Sequence, residues 1–405
     1  MVQFAEGGVT AAKGFKAAGI YSGIRRNPNK TDLALIVSDV PGNAAAVYTK
    51  NKVKAAHIAV TKRHLADGKA QAVLCNSGNA NTCTPNGEEI AEQATGIAAK
   101  LLGIRAEDVL PAATGVIGVP LSIEPFESAM PALVAALSPE GSNAAAKAIM
   151  TTDTYPKEYA VTFEAGGTTC TLGGVAKGSG MIHVNMGTML SFLSTDCAIS
   201  QEMLTRALRE EIEDSYNQVS VDGDSSTNDT VSIIANGLAG NLEITEAGAD
   251  YDAFCEALHA VSAALSRRIA GDGEGCTKLL EAHVTGAPTK DAARKIAKSI
   301  VCSSLFKAAV FAADANWGRI LCAIGYADAD FDAANIDVSV TSKVGSVQVC
   351  KGSASVDFDD DFATEILSQE EVTVEVELHD GAEEAYAWGC DLTYEYVKIN
   401  GAYRS

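Results

Sequence analysis

The sequence has no long apolar run and no excess of basic residues, and both absences exclude classes of function. No run approaches the roughly 20 apolar residues that a membrane-spanning helix needs. Lysine and arginine number 31 against 52 aspartates and glutamates, which gives a formal net charge of −21. Such an acidic surface repels phosphate backbones. We therefore expect no membrane span and no nucleic-acid partner.

Paired cysteines and cofactor motifs are also lacking. The ten cysteines form no C-x-x-C pair, their spacing matches no zinc pattern, and only six histidines accompany them. We expect reduced, mostly buried thiols, with Cys302 and Cys322 inside apolar runs, and no metal site. The chain contains no phosphate-binding loop, dinucleotide fingerprint or nucleophile elbow, which disfavours a nucleotide cofactor. The N-terminus lacks an export signal, so we expect a cytoplasmic protein.

What is present indicates an α/β (α+β) fold of layered sheets and helices. The 405 residues are 47% hydrophobic, and this length predicts two or three packed units. Short β-branched runs predict strands at 33–37, 57–61, 72–75, 160–163 and 231–235. Helical spacing predicts helices at 90–101, with Gly103 as C-cap, after the N-cap Ser200, at 250–269 and at 291–301.

The last third of the chain predicts a smaller C-terminal α+β domain. Valines at 372, 374 and 376 alternate with polar residues, which is typical of a strand exposed on one side. Further strands are predicted at 338–341, 347–350 and 393–399. We place the boundary in the glycine-rich stretch 237–240, which gives a catalytic domain of residues 1–240 and a C-terminal domain of residues 241–405.

The segment 177–190 is the most informative for function, because Thr188 directly follows Gly187 among small and apolar residues. A threonine hydroxyl becomes a good nucleophile when its own α-amine can take its proton. That amine is free only after cleavage of the Gly187–Thr188 bond. Strain at glycine would favour attack by the Thr188 hydroxyl on the Gly187 carbonyl. The alternative is an ordinary threonine in a glycine-rich turn.

Other segments carry weaker indications of chemistry. Thr114 and Gly115 could donate hydrogen bonds to an oxyanion, or form a plain turn. Glu274, in the glycine-rich stretch 272–278, could hold an ammonium group, or lie in a polar loop after a helix. The stretch 221–230 does not fit a calcium loop and predicts an Asx- and Ser-rich turn packed near a site. The stretch 76–81 predicts a structural polar turn.

Nine segments in the same order resemble the ornithine acetyltransferase (glutamate N-acetyltransferase) family of arginine biosynthesis. They lie at 7–15, 76–81, 113–118, 151–157, 177–190, 221–229, 272–278, 314–320 and 396–405. The resemblance implies a self-processing fold of the N-terminal-nucleophile kind. It implies cleavage between Gly187 and Thr188 into chains 1–187 and 188–405, with Thr188 as nucleophile and Thr114 and Gly115 as oxyanion hole.

By the same resemblance, the positions that bind substrate are Thr154, Lys177, Thr188, Glu274, Asn400 and Ser405. Lys177 could pair with an α-carboxylate and Glu274 with the cationic end of ornithine. The implied reaction is a ping-pong transfer of acetyl from N-acetylornithine to glutamate through an acetyl-threonine ester. It needs no cofactor, although some members use acetyl-CoA as a co-substrate. The implied assembly is α2β2.

Two other functions remain open from the sequence alone. One is an aminopeptidase or amidase built on the same self-cleaving fold, in which water accepts the acyl group. The other is a non-enzymatic acidic binding protein in which Thr188 is structural. The chain also departs from the family at Gly187, where alanine is more frequent, and at His183 and Val184, where the family usually has Ala-Pro.

Overall fold

The computed structural model describes residues 2–183 and 189–402, and two main sheets organise that part of the chain. The large sheet has nine strands within these residues: β1 (Gln3–Ala5), β2 (Phe15–Ile20), β3 (Leu33–Tyr48), β4 (Lys69–Asn79), β5 (Val109–Val116), β6 (Lys157–Ala165), β7 (Thr168–Lys177), β9 (Leu190–Thr195) and β11 (Thr230–Ala235). Their order is β1-β6-β7-β9-β11-β3-β4-β5, and β2 pairs with β3.

The small sheet lies in the last third of the chain. Its strands are β12 (Leu279–Ala287), β13 (Asp337–Ser342), β14 (Gly345–Lys351), β15 (Ala354–Ser355), β16 (Glu371–Glu377) and β17 (Glu383–Cys390), in the order β15-β14-β13-β16-β12-β17. Two short strands, β8 (Ile182–His183) and β10 (Ser220–Ser225), pair separately near the segment 184–188, which lies outside the described residues.

The helices in the described residues are α1 (Ala56–His64), α2 (Gly87–Leu102), α3 (Glu124–Ala135), α4 (Ser142–Ile149), α5 (Gln201–Asp214), α6 (Ala249–Ala270), α7 (Lys290–Cys302), α8 (Ser304–Phe311), α9 (Trp317–Gly325), α10 (Asp360–Leu367) and α11 (Tyr394–Ala402). Among them, no helix combines the length and the apolar character needed to cross a membrane.

The large sheet lies between two helical layers because the side chains of β3 alternate between its faces. Ala34 and Ile36 pack with α4 on one face. Leu33 and Leu35 point to the other face, where they pack with α2 and α3. On that same face, Ala45 further along β3 packs with α5 and α6. The predicted layered α/β architecture is therefore confirmed.

The small sheet is apolar on one face and polar on the other. Val372, Val374 and Val376 of β16 are buried against a core that includes α7, α9 and α10. The residues between them are half exposed, as the alternation predicts. Helix α6 follows the predicted boundary near residue 240 but packs on β6 and β7 of the large sheet. The division into domains 1–240 and 241–405 stays a prediction.

Most predicted elements are confirmed, and two predicted strands are wrong. Residues 57–61 lie in α1, because a short apolar run fits a buried helix as well as a strand. Residues 393–399 fall mostly in α11, where the Thr393 hydroxyl accepts a hydrogen bond from the Tyr396 N–H. The ten cysteines are free, but only five are buried. Cys83 and Cys322 are exposed, the latter because α9 buries Ile320, Ala323 and Ile324 instead.

Candidate active site

A cleft of about 160 Å³ collects most of the predicted site residues that the structure describes. Of these, Thr114, Gly115, Lys177, Glu274 and Asn400 line it. The other described residues that line it are Ile117, Thr151, Thr152, Gly180, Met181, Met189, Leu190, Ser226, Asn228 and Asp229. Gly187, Thr188 and Ser405 lie outside the described residues. Met189 and Leu190 nevertheless bring the chain that follows Thr188 into the cleft wall.

The end of β5 supplies Thr114 and Gly115. β5 runs parallel to β4, and Gly115 lies opposite Gly78. Gly115 has φ +129°, and a Cβ there would lie 2.5 Å from the Gly78 carbonyl carbon. Only glycine fits this close approach of two backbones. An N–H held so rigidly suits stabilisation of an oxyanion, with the Thr114 hydroxyl beside it.

Asn228, which was not predicted as a site residue, holds this strand end in place. Its side-chain amide donates to the carbonyls of Ala113 (2.8 Å) and Ala80 (2.6 Å). Its amide oxygen accepts from the Thr82 hydroxyl at 2.9 Å. These contacts bring the end of the stretch 221–230 beside the cleft, but residues 220–225 form β10 and residues 76–79 belong to β4, so neither stretch is wholly the turn that was predicted. The many Asx residues of both stretches were the only signal in the sequence.

Lys177 ends β7 directly opposite Leu190 of β9, two residues after Thr188. Its side chain is buried, and its Nζ lies 3.5 Å from the Thr114 hydroxyl. Burial lowers the pKa of Lys177, while Asp153 and Asp229 act in the opposite direction. Within the described residues Lys177 forms no ion pair shorter than 4.0 Å, and a buried ammonium of this kind attracts an anionic group of a ligand.

Asp229 is a second residue of the cleft lining that sequence reasoning did not assign to the site. It precedes β11 and is only 4% exposed. Burial raises the pKa of its carboxyl well above the usual value, although Lys177 and a hydrogen bond from the Met189 N–H oppose this shift. Among the described residues, no hydrogen-bond donor reaches its Oδ2.

Glu274 is the predicted acidic residue of the cleft and lies in the loop between α6 and β12. Its backbone N–H donates to the Ser179 carbonyl at 3.1 Å. Its carboxylate accepts from the Asn400 side chain at 2.8 Å. A Cβ on Gly180 would lie 2.3 Å from this carboxylate, so glycine leaves the room that Glu274 occupies.

Thr154 is held away from the cleft lining in the described residues. Its hydroxyl and its N–H both donate to Asp272. Lys157 completes this cluster, with Nζ 2.7 Å from Asp153 and 2.5 Å from Asp272. Although burial alone would raise it, Lys157 and Lys177 hold the pKa of Asp153 below its usual value. The cluster braces the loops that carry Thr151, Thr152 and Glu274.

Comparisons with known proteins identify the family of the chain. The ArgJ family model matches residues 16–405. The arginine biosynthesis bifunctional protein ArgJ of Symbiobacterium thermophilum is 50% identical over 406 residues, which is 100% of each chain. The crystal structure of the arginine biosynthesis bifunctional protein from Bacillus halodurans is 43% identical, with a TM-score of 0.51, and covers 53% of this chain and 100% of its own.

A further solved structure, ornithine acetyltransferase complexed with ornithine from Mycobacterium tuberculosis, is 36% identical over 45% of this chain and 97% of its own, with a TM-score of 0.41. The family model and the full-length relative together cover nearly the whole sequence, including every segment that lines the cleft. The chain belongs to the ArgJ family.

Proposed function

We propose that this chain is a self-processing acetyltransferase of arginine biosynthesis that moves the acetyl group of N2-acetyl-L-ornithine to L-glutamate. The observation that carries the proposal is the cleft itself. It places a buried lysine, a carboxylate and a rigid Thr114–Gly115 pair around the chain that follows Thr188. These groups match an amino-acid substrate with an α-carboxylate, a cationic end and an acyl carbonyl.

The nucleophile of the proposed reaction is the Thr188 hydroxyl, released by cleavage of the Gly187–Thr188 bond. The freed α-amine has an unperturbed pKa of about 7.7–8.0, so part of it is neutral near pH 7 and able to accept the hydroxyl proton. The attacked carbonyl oxygen becomes an oxyanion that the Gly115 N–H and the Thr114 hydroxyl stabilise. Lys177, 3.5 Å from that hydroxyl, favours its orientation with the proton toward the oxyanion.

Transfer then proceeds in two halves at one site. Ornithine leaves with the proton that the Thr188 amine held, and an acetyl ester remains on Thr188. Glutamate enters, its amine attacks the ester, and N-acetylglutamate departs. Lys177 would bind the α-carboxylate that both substrates carry, and Glu274 with Asn400 would bind the ammonium end of ornithine. One amide replaces another, so the exchange needs no cofactor.

The length of the solved relative supports the proposed cleavage. All of its chain is matched by 53% of this chain. Residues 188–405 make up 218 of the 405 residues, or about 54%. A chain of that length is what cleavage before Thr188 would leave.

Intact mass spectrometry after brief exposure to N-acetylornithine tests the proposal. We expect two chains, 1–187 and 188–405, with one acetyl group on the second. Thr188→Ala should stay uncut and inactive, whereas Thr188→Ser should still be cleaved. An uncut chain of 41.9 kDa that transfers acetyl at full rate would overturn the role of Thr188.

The same reaction separates a transferase from an aminopeptidase or amidase. A transferase forms N-acetylglutamate and releases little acetate when glutamate is present. Equal acetate release with and without glutamate would favour the hydrolase. Membership of the ArgJ family disfavours both the hydrolase and a non-enzymatic binding protein.

The name "bifunctional" of the relatives supports a second activity at the same site, the acetylation of glutamate by acetyl-CoA. We expect release of free CoA thiol from acetyl-CoA and glutamate without acetylornithine. No release above the Thr188→Ala background would limit the enzyme to the exchange reaction. A cytoplasmic α2β2 assembly belongs to this proposal and predicts a solution mass twice that of one 41.9 kDa chain.

A further inference from the structure

The acidic loop 221–230 contacts the chain on both sides of the segment 184–188. It starts within β10 and ends at the first residue of β11. The sequence gives this loop three aspartates and two serines in ten residues. The proposed acetyl transfer uses none of these side chains. Several of them nevertheless form hydrogen bonds to backbone groups that flank the segment 184–188.

On the N-terminal side, the loop holds three consecutive residues. The Asp222 carboxylate accepts hydrogen bonds from the N–H groups of Met181 (2.7 Å) and Ile182 (2.9 Å). The Ser225 hydroxyl donates to the His183 carbonyl at 2.9 Å. Bonds to a carboxylate are shorter and stronger than neutral ones. The chain entering segment 184–188 is therefore fixed at its backbone.

On the C-terminal side, the loop holds Met189. The buried Asp229 carboxyl accepts the Met189 N–H. The Thr230 N–H donates to the Met189 carbonyl at 3.1 Å. Both peptide groups of the residue after Thr188 are thus tied to the end of the same loop.

We propose that loop 221–230 is a clamp that positions the Gly187–Thr188 bond for cleavage, with Asp222 and Ser225 as its upstream arm and Asp229 as its downstream arm. The inference rests on the proposed cleavage. Attack of a side chain on its own peptide bond requires a conformer that the free chain rarely adopts. Such a conformer persists only when surrounding contacts over-determine it, and contacts on both sides of the bond do so.

The two arms have different duties after cleavage. Met181, Ile182 and His183 stay in chain 1–187, so the upstream arm then holds only the new C-terminal region. Met189 stays joined to Thr188, so the downstream arm continues to position the nucleophile. Loss of the upstream arm should slow cleavage alone, whereas loss of the downstream arm should slow both cleavage and acetyl transfer.

Hydrogen exchange in the uncut Thr188→Ala chain tests the contacts independently of any activity. We expect Asp222→Ala to speed amide exchange at Met181 and Ile182 at least ~10-fold and to leave Met189 unchanged. Asp229→Ala should do the reverse. Unchanged exchange at the predicted amides in either variant would overturn the clamp, even if the enzyme cleaves and transfers as proposed.

Time courses of cleavage and of acetyl transfer in the otherwise native chain test whether the two arms have different roles. For Asp222→Ala we expect cleavage slowed ~10-fold or more, with kcat of the fully cleaved enzyme within about twofold of the parent. For Asp229→Ala we expect a fall of similar size in both cleavage and kcat, with KM for N-acetylornithine little changed. Asp229→Asn keeps an oxygen that accepts the Met189 N–H, so it should restore much of both rates.

Tyr396→Phe is the matched control, because the Tyr396 hydroxyl donates to Asp222 from α11 at 3.2 Å, whereas the bonds to segment 181–182 come from the Asp222 carboxylate itself. It should cleave at the parental rate. Equal losses of cleavage and kcat in Asp222→Ala and Asp229→Ala would show a general structural role and refute the arms. Failure of the parent itself to cleave would refute the proposed function instead, while the exchange pattern would still report on the contacts.

Discussion

The two sheets of this molecule differ in whether the charged side chains near them are exposed or buried. In the small sheet, charged groups such as Glu375 and Glu377 stand on the half-exposed face, and the other face is mainly valine, alanine and leucine. Beside the cleft of the large sheet, Asp153, Lys157 and Lys177 are buried. Burial of a charge costs free energy even when the charge is paired.

This difference separates stability from function. The small sheet gains stability by removing apolar surface from water. The cleft keeps buried charges that a packed apolar core would replace at no loss of stability. We infer that the charges are retained because they position and bind, and each prediction below compares a residue near the cleft with one of the small-sheet layer.

The largest effect on folding should come from Lys157→Met. Its Nζ is within 2.7 Å of two buried carboxylates, and its loss leaves both without a cation between them. We expect about 3–5 kcal/mol of lost unfolding free energy. The measurement is urea unfolding of the uncut Thr188→Ala chain, which avoids dissociation of two fragments.

Lys295→Met on α7 is the control for that substitution. Lys295 pairs with Asp291 at 2.8 Å, but their side chains are 42% and 70% exposed. Solvent screens such a pair, so we expect a change within about 0.5 kcal/mol. Equal destabilisation by Lys157→Met and Lys295→Met would contradict the proposed difference between buried charges at the cleft and exposed charges beside the small sheet.

The largest effect on turnover after loss of the nucleophile should come from Thr114→Ala. We expect kcat to fall ~10²–10³-fold if the hydroxyl stabilises the oxyanion. Thr373→Ala on the polar face of β16 removes a similar hydroxyl far along the chain and should leave kcat unchanged. Steady-state kinetics with both substrates decides this, and an unchanged kcat for Thr114→Ala would leave the Gly115 N–H alone in that role.

The sequence predicted the small sheet better than the cleft, for a physical reason. Period-two alternation at 372–376 reports burial directly, and local signals at Ser200 and Gly103 mark helix ends, as the structure bears out. The strands predicted at 57–61 and 393–399 were wrong because a run of β-branched and aromatic residues can form either a strand or a helix. The packing of neighbouring elements decides between the two.

The site was predictable only in part. The family resemblance named Thr114, Lys177 and Glu274, which come from separate segments and meet in the cleft. The hydrogen bonds of Asn228 to the ends of β4 and β5, and of Asp229 to Met189, depend on tertiary packing. No local pattern in the loop distinguishes these two residues from their polar neighbours, so their positions required the structure.

The pH dependence of stability should have opposite signs in the two regions. His57 in α1 is 1% exposed, and burial lowers its pKa to about 4. The unfolded chain therefore binds a proton below about pH 6.5 that the folded chain does not bind until about pH 4. Stability is full above that window and falls by up to about 3 kcal/mol as the pH drops through it.

His57→Gln tests this sign. The variant should lose stability at all pH values, because a buried group is changed, but its unfolding free energy should depend less on pH between about 4 and 6.5. Urea unfolding of the uncut chain at several pH values gives the slope. A slope equal to that of the parent would show that His57 does not carry the acid sensitivity of this region.

The smallest effect should come from His283 on β12, where the sign reverses. Glu375, 2.7 Å from its Nδ1, raises the pKa of His283 despite partial burial. The folded state then holds the proton more tightly than the unfolded state, so the stabilisation is present below about pH 6.5 and is lost as the pH rises through the folded pKa. Because Glu375 is 42% exposed, we expect less than about 1 kcal/mol. His283→Gln loses the stacking on Tyr386 at every pH, so only the pH-dependent part of the difference from the parent reports the ion pair. The difference in unfolding free energy between the parent and His283→Gln should shrink from about pH 6 to about pH 8. If the difference grew over that range, the pKa of His283 would be lowered by folding, as that of His57 is, and the two regions would not differ in sign.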